Sequence, residues 1–497
     1  MRKPLFLISI LSAVLSGCQN EAQREERLAR TYCSSCHQFP EPTLLDKKTW
    51  TKKVLPEMAF RMGVDLSQLF NLPQNDYPFV SQTLPNSAMV QPEEWEAIVR
   101  YFEREAPDTI LVDPPIAAQA LTQFNAEAIT LPASNRFPML SLLQVDTVNK
   151  RIFTSNRSNW LHQWNYAFRA KDSVQLNSPV SSISLTPEVV LASMGIMDPN
   201  DQPKGSLLKL INGKTELLLD SLRRPVFVTT TDFNKDNLPD YVVCNFGNYG
   251  GDLQVLENQN NGKFKRHVLS PLPGARKVIV QDFNSDGLPD VLALLTQGDE
   301  QISLYTNGGN FRFKVTTLLR FPSVYGSSYF EVVDFNQDGH FDIVYTNGDN
   351  ADYSIILKPY HGVRIFLNDG KNHFTETWFH RIHGCSWVVA RDFDQDGDVD
   401  VATLAFFPDF KLAPEQSFIY FENQDGKLTP FVTPLATRGR WLIMETVDLD
   451  GDRDEDILLG ALNFNNGVPV SVVDGWKANP VSVLLLRNNK NTSSIVY

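Results

Sequence analysis

Between His37 and His162 the chain contains no histidine, and no C-x-x-C pair other than Cys33–Cys36 occurs in its 497 residues. The first absence removes a second imidazole from the N-terminal region. The second leaves at most half of a structural zinc site, since such sites take four Cys or His ligands. No stretch of about 18 uninterrupted apolar residues is present, which excludes an ordinary membrane-spanning helix. Cations are outnumbered: 45 Lys and Arg stand against 58 Asp and Glu, for a formal net charge of −13. Nucleic-acid binding needs basic side chains facing phosphates, so this balance argues against it. Nucleophile motifs, phosphate loops and dinucleotide fingerprints are also missing. What is present is a folded globular composition, with 42% hydrophobic, 21% charged and 11% aromatic residues. The length favours several domains or a repeat architecture.

Arg2 and Lys3, the apolar run Leu5 to Leu15 and the small residues before Cys18 form an export signal. Leu15, Ser16, Gly17 and Cys18 resemble the bacterial lipobox, which implies cleavage before Cys18 and lipidation of its sulfur. Residues 1–17 are then a lipoprotein signal peptide and 18–26 a tether. The expected location is the bacterial cell envelope, periplasmic or at the outer-membrane surface, with membrane contact only through the lipid anchor.

Cys33, Ser34, Ser35, Cys36 and His37 spell C-x-x-C-H, the attachment signature of c-type haem. In it the two sulfurs bond the macrocycle and the histidine coordinates iron. Beside an export signal this reading outweighs a redox disulfide, because c-type haem is attached outside the cytoplasm. Leu28 and Tyr32 predict a helix entering the motif. Trp95, Ile98, Val99 and Phe102 share one face of a closing helix over Glu94 to Arg104. With no second histidine, the soft sixth-ligand candidates are Met58, Met62 and Met89. Met58 is preferred, in a segment resembling the ligand-bearing stretch of some lipoprotein-anchored cytochromes. Met89 better matches the usual class I cytochrome placement but lacks the following Pro. Residues 27–106 read as a small all-α cytochrome c-like domain with one covalent haem, and 107–118 as a proline-containing linker.

From there an internal repeat takes over. Asp232, Asn234, Asp236 and Asp240 recur as Asp282, Asn284, Asp286 and Asp290, then as Asp334, Asn336, Asp338 and Asp342. Two further copies are Asp392, Asp394, Asp396 and Asp400, and Asp448, Asp450, Asp452 and Asp456, the five being spaced by 50, 52, 58 and 56 residues. Oxygens at positions 1, 3, 5 and 9 follow the ligand logic of a calcium loop, so up to five calcium ions are expected. Position 6 is Gly in copies two to four, Asn237 in the first and Arg453 in the last. β-Branched runs flank the loops, so these are not EF-hands. Each loop joins the first two strands of a four-strand unit; in the fourth unit the strands are expected at Lys277 to Phe283, Asp290 to Leu295, Gln301 to Tyr305 and Phe311 to Leu318.

Two degenerate units, beginning near Met139 and Pro179, bring the count to seven. Val481 to Arg487 is a third strand with no fourth after it, and Phe124 to Leu131 resembles the missing one. Residues 119–497 are therefore expected to form an all-β seven-bladed propeller whose N-terminal strand completes the last blade. The acidic loops and the Asp-aliphatic strands after them resemble the FG-GAP or VCBS repeats of integrin-α-like propellers. That resemblance implies a fold and calcium on one rim, not a reaction.

On the opposite rim, Arg136, Arg224, Arg276, His383 and Arg440 just precede inner strands, with Lys358, Tyr360 and His361 in a long loop nearby. They form a candidate cationic funnel for an anionic substrate or a haem propionate. The leading functional reading is haem electron transfer, with the propeller as docking or substrate-binding module for a redox protein or small molecule. The alternatives are a calcium-dependent adhesion scaffold, and a haem-dependent oxidoreductase whose propeller oxidises the substrate.

Overall fold

The computed structural model describes residues 21–132, 137–349 and 355–490. Segment 1–17, Cys18 and Arg136 lie outside the described residues. Contacts divide the chain into two compact units, the backbone passing from the smaller to the larger between Val112 and Asp113.

The smaller unit is helical. Residues 21–33 form its first helix, which ends at Cys33. A short turn Lys47–Thr49 runs through the wider turn Trp50–Val54 into the helix Leu55–Arg61. The closing helix Pro92–Glu105 has Pro at its first position and Glu93 and Glu94 in its first turn, as its dipole favours. Its buried stripe is Ala97, Ile98, Tyr101 and Phe102. The stripe is thus rotated from the expected one: Ile98 and Phe102 are buried as expected, while Trp95 and Val99 only border the core. Phe102 packs on Trp50 with ring centroids 4.5 Å apart. Glu25 on the first helix is buried and takes Arg100 at 2.7 Å and also Arg104, tying the first helix to the last.

The larger unit is a seven-bladed propeller, one sheet per blade. Its inner strands are Leu140–Asp146, Val180–Ser184, Pro225–Thr231, Ala275–Gln281, Ser327–Val333, Cys385–Arg391 and Trp441–Val447. In the five blades with acidic loops every residue of the second strand is buried, because neighbouring blades cover both faces. Outer strands such as Phe313–Arg320 are mostly exposed. In the fourth blade the first strand ends at Gln281, two residues short of the expected Phe283. Asp290 takes the Phe283 N–H at 3.1 Å, so that donor has left the ladder.

The ring closes as expected. Phe124–Ile129 pairs antiparallel with Val483–Asn488, from Phe124 opposite Asn488 to Ile129 opposite Val483. A second clasp was not foreseen: Gln119–Ala120 adds a parallel fifth strand to the sixth blade beside Phe431 and Val432. Phe124 is buried, edge-on to Phe393 at 5.9 Å and to Tyr420 at 5.2 Å. Phe124→Ala is expected to cost about 3–5 kcal/mol and to lower the melting temperature of the propeller. A melt unchanged by this substitution would show that the closing strand is dispensable.

Candidate functional site

The five acidic loops share one backbone conformation. Position 6 is left-handed in every copy, with φ of +85° at Gly287, +86° at Gly339, +105° at Gly397, +65° at Asn237 and +78° at Arg453. Position 4 is left-handed as well, at Lys235, Ser285, Gln337 and Gln395, and there the fifth copy carries Gly451. The last loop has thus moved its glycine from one strained position to the other. The first carboxylate organises the turn: Asp282 accepts from Asp286 N at 3.1 Å and from Gly287 N at 2.7 Å. Asp232, Asp334 and Asp392 do the same in their loops.

In the first three loops the position-3 Asn donates to the position-5 carboxylate, at 2.9 Å from Asn234, 2.9 Å from Asn284 and 3.0 Å from Asn336. The last two loops have Asp there. Oxygens of Asp392, Asp394 and Asp400 lie within 4.8 Å of one another, as do those of Asp448, Asp450 and Asp452. An all-oxygen, multiply anionic donor set of this kind suits a hard cation. Lys490 stands 3.9 Å from Asp394 and Arg487 3.3 Å from Asp450, a partial counter-charge at both.

The position-9 carboxylate has a further role. Asp240 is fully buried and takes Phe233 N at 3.0 Å on one oxygen and Asn258 N at 2.8 Å on the other. The pattern repeats with Asp290 and Asn307, Asp342 and Asn368, Asp400 and Asn423, and Asp456 and Asn488. Each Asn ends a third strand, except Asn423, which stands one residue before the end of its own, and its side chain returns to the carbonyl just before the Asp, at 3.2 Å for Asn258 and 3.0 Å for Asn423. Asn307 and Asn488 also reach the preceding blade, at Phe233 O (3.1 Å) and Phe393 O (2.8 Å). The sequence reading missed these asparagines, although an Asn at or one residue before the end of the third strand in every loop-bearing blade was a visible signal. Burial first, then neighbouring loop aspartates, raise these carboxyls: Asp240 to about 6 and, with Asp394 nearby, Asp400 to about 7. Asp456 is raised to about 6 in the same way, and Asp290 and Asp342 move in the same direction.

In the smaller unit, Cys33 and Cys36 are free thiols. Cys33 borders the apolar core, and burial, then Cys36, push its thiol up to about 12. His37 Nδ1 lies 2.9 Å from Gln38 O. A carbonyl only accepts, so Nδ1 is protonated, and in the neutral imidazole Nε2 is then the nitrogen with the lone pair. Met58 borders the same core as Cys33, Met62 is buried within it, and Met89 is 45% exposed.

Two of the funnel arginines are engaged by the protein itself. Arg440 is 1% exposed, donates to Phe406 O at 2.7 Å and Phe464 O at 2.6 Å, and lies 4.0 Å from the Phe406 ring. Arg224 donates to Gly247 O at 3.1 Å. Burial pushes the Arg276 and Arg440 guanidinium groups below their ordinary range, and the Asp349 carboxylate acts on both in the opposite direction. His361 and His383 are buried; Lys358 falls in the smaller unit, whereas Tyr360 and His361 fall in the propeller. Cys244 and Cys385 are free, fully buried thiols in different blades.

Comparison with known proteins agrees with this geometry. A family described as FG-GAP-like repeat matches residues 232–293, 282–345 and 346–403, from the third blade into the sixth. The chain carries FG-GAP-like repeats within a seven-bladed propeller, a fold consistent with a binding or docking module. No curated protein matches the sequence. Among solved structures, a chain from the S. cerevisiae complex of Dbp5 with Nup159, Gle1, IP6 and ADP is similar at 11% identity. The match covers 76% of this chain and 98% of that one with a TM-score of 0.43, too low to carry an argument.

The raised carboxyls set a pH dependence for the ion-free protein. A carboxyl whose folded pKa exceeds its unfolded value stabilises fully below the unfolded value and loses that contribution as pH rises through the folded one. Burial also raises Glu300 to about 8. His380, lowered to about 4 by burial, acts oppositely as pH falls from 6.5. With divalent ions removed, the melting temperature is expected to fall from pH 5 to pH 8. Asp400→Asn should flatten the part between pH 4 and 7, and a melt that rises over this range would contradict the assignment.

Proposed function

We propose that this chain is an envelope-anchored electron-transfer protein that carries one c-type haem on its N-terminal unit and uses a calcium-stiffened propeller as a docking or substrate-binding module. The observation that carries the reading is the His37 hydrogen bond. Donation from Nδ1 to Gln38 O fixes the tautomer and leaves Nε2 as the coordinating atom, the arrangement metal-binding imidazoles require. Cys33 and Cys36 supply two unpaired sulfurs at the end of the first helix, and Met58 lies on the edge of the core that Cys33 borders. These residues fit a covalent haem with a thioether as sixth ligand.

When bound, the haem supplies a one-electron couple, whose potential a methionine ligand raises. The chain's own part would be to hold His37 in one orientation and anchor two sulfurs beside the apolar core that Tyr32, Cys33, Met58 and Trp95 border. Lipidation at Cys18 would hold the protein at a membrane surface. An optical spectrum of the full chain, expressed with haem-maturation machinery and reduced with dithionite, tests the reading. A c-type α band is expected, with a methionine-linked absorption band in the oxidised form that Met58→Ala abolishes. Complete absence of covalent haem would sink electron transfer and leave calcium-dependent binding as the account.

For the propeller, the fourth and fifth loops hold the densest carboxylates and are expected to bind calcium most tightly. Saturating calcium should raise stability by about 2.7 kcal/mol per site at a hundredfold excess over Kd. Titration calorimetry of Asp394→Asn should show one site lost or weakened at least tenfold. Equal melts in calcium and in chelator would refute calcium binding.

A further inference from the structure

The first blade contains a cavity that neither haem nor calcium accounts for. It lies at the rim opposite the acidic loops, where the second and third strands of that blade connect. Its volume is about 130 Å³, and Phe137, Met139, Leu140 and Trp164 form its apolar side. Thr154 and His162 supply polar groups; they are cross-strand partners, so they share one face of the sheet, and Trp164, two residues on, shares it too. That face packs against the seventh blade, since Trp164 and Ile152 share a core with Ile443, Leu458 and Val483. The cavity therefore sits at the seam where the ring closes.

His162 is only 9% exposed, and its Nε2 is fully buried without a hydrogen-bond partner. An unmatched buried polar atom is costly, so the site is built for something that satisfies it. Thr154 accepts from Trp164 Nε1 at 2.8 Å and keeps its own O–H for an acceptor. Charge is balanced: Arg157 at the rim pairs with Asp198 at 2.5 Å, and burial favours the neutral form of His162. The volume far exceeds the room of one water and approaches that of an engineered apolar cavity, about 150 Å³, that holds benzene.

We propose that this seam cavity binds a neutral, single-ring hydroxy compound of phenol size, its O–H donating to His162 Nε2 and its ring lying against Phe137, Leu140 and Trp164. The assignment does not depend on haem or calcium. Calorimetric titration of the full chain with phenol, toluene and glucose tests it. Phenol should bind at least tenfold tighter than toluene, and a crystal soaked with phenol should show the ring in the seam. His162→Phe keeps an aromatic ring but no acceptor; it should bring phenol down to the level of toluene while leaving circular dichroism unchanged. If that variant does not fold, the phenol-to-toluene ratio of the unaltered protein still decides. Equal affinity for the two, preference for glucose or no binding of any probe would each overturn the proposal.

Discussion

The buried carboxylate at the ninth position of each acidic loop holds the propeller's repeats in register. One oxygen of Asp240 fixes the start of the loop through Phe233 N, and the other fixes the end of the third strand through Asn258 N. Three strands of the blade therefore meet at one side chain. The Asn returns to the carbonyl just before the Asp, and in two blades it also bonds to the blade before. An isolated carboxylate in such a place would be costly. Two backbone donors offset much of that cost, and the raised pKa values record what is left.

The same residue explains why the loops suit a cation. Asp400 Oδ2 accepts from both Phe393 N and the Tyr420 hydroxyl, while Oδ1, which accepts from Asn423 N, keeps a second lone pair, so Asp400 serves the strands and still lies within the cluster with Asp392 and Asp394. Three loops relieve their charge with a neutral Asn at position 3. The other two keep the carboxylate and set a basic side chain beside it. The two degenerate blades show what happens without the staple. By register, Arg151 occupies the position of the ninth-place Asp in the first blade and bonds to buried Asp146 at 2.8 Å; in the second blade the position is Val190. An ion pair and an apolar residue stand where the other blades carry the ninth-place Asp, so the donor set of the acidic loops is not repeated there.

Much of this was legible because it is local and repeated. The spacing of the aspartates marked five first-to-second strand connections, and counting strands from them located the degenerate blades and the closing strand Phe124–Ile129. What escaped depends on contacts between distant positions. The asparagine partners stand 18 residues from Asp240 but 32 from Asp456, so no fixed spacing betrays them. The left-handed residue at position 4 is Lys, Ser or Gln in four loops, types that do not announce such a backbone. The parallel strand Gln119–Ala120 is too short to carry a pattern. The sequence shows the charge of Arg224 and Arg440 but not the carbonyls and rings they engage; Arg440 is a buried clamp on Phe406 and Phe464.

Ring closure concentrates the remaining irregularity in one place. At two of the seams between stapled blades an Asn amide reaches across to the second loop position of its neighbour, Asn307 to Phe233 and Asn488 to Phe393. The first blade has Arg151 where the Asp would be. Among the described residues the seam between the seventh and first blades is instead tied at the other rim, by the bridge of Met139 to Leu462 and by Asn463 N on Pro138 O at 2.9 Å. Backbone ties of this kind fix the inner strands and leave the side chains beyond them less constrained. The cavity beside His162 opens at that point. A propeller built from identical stapled blades would have no reason to leave space at one interface; the cavity beside His162 lies in a blade that departs from the repeat, with Arg151 where the Asp would be.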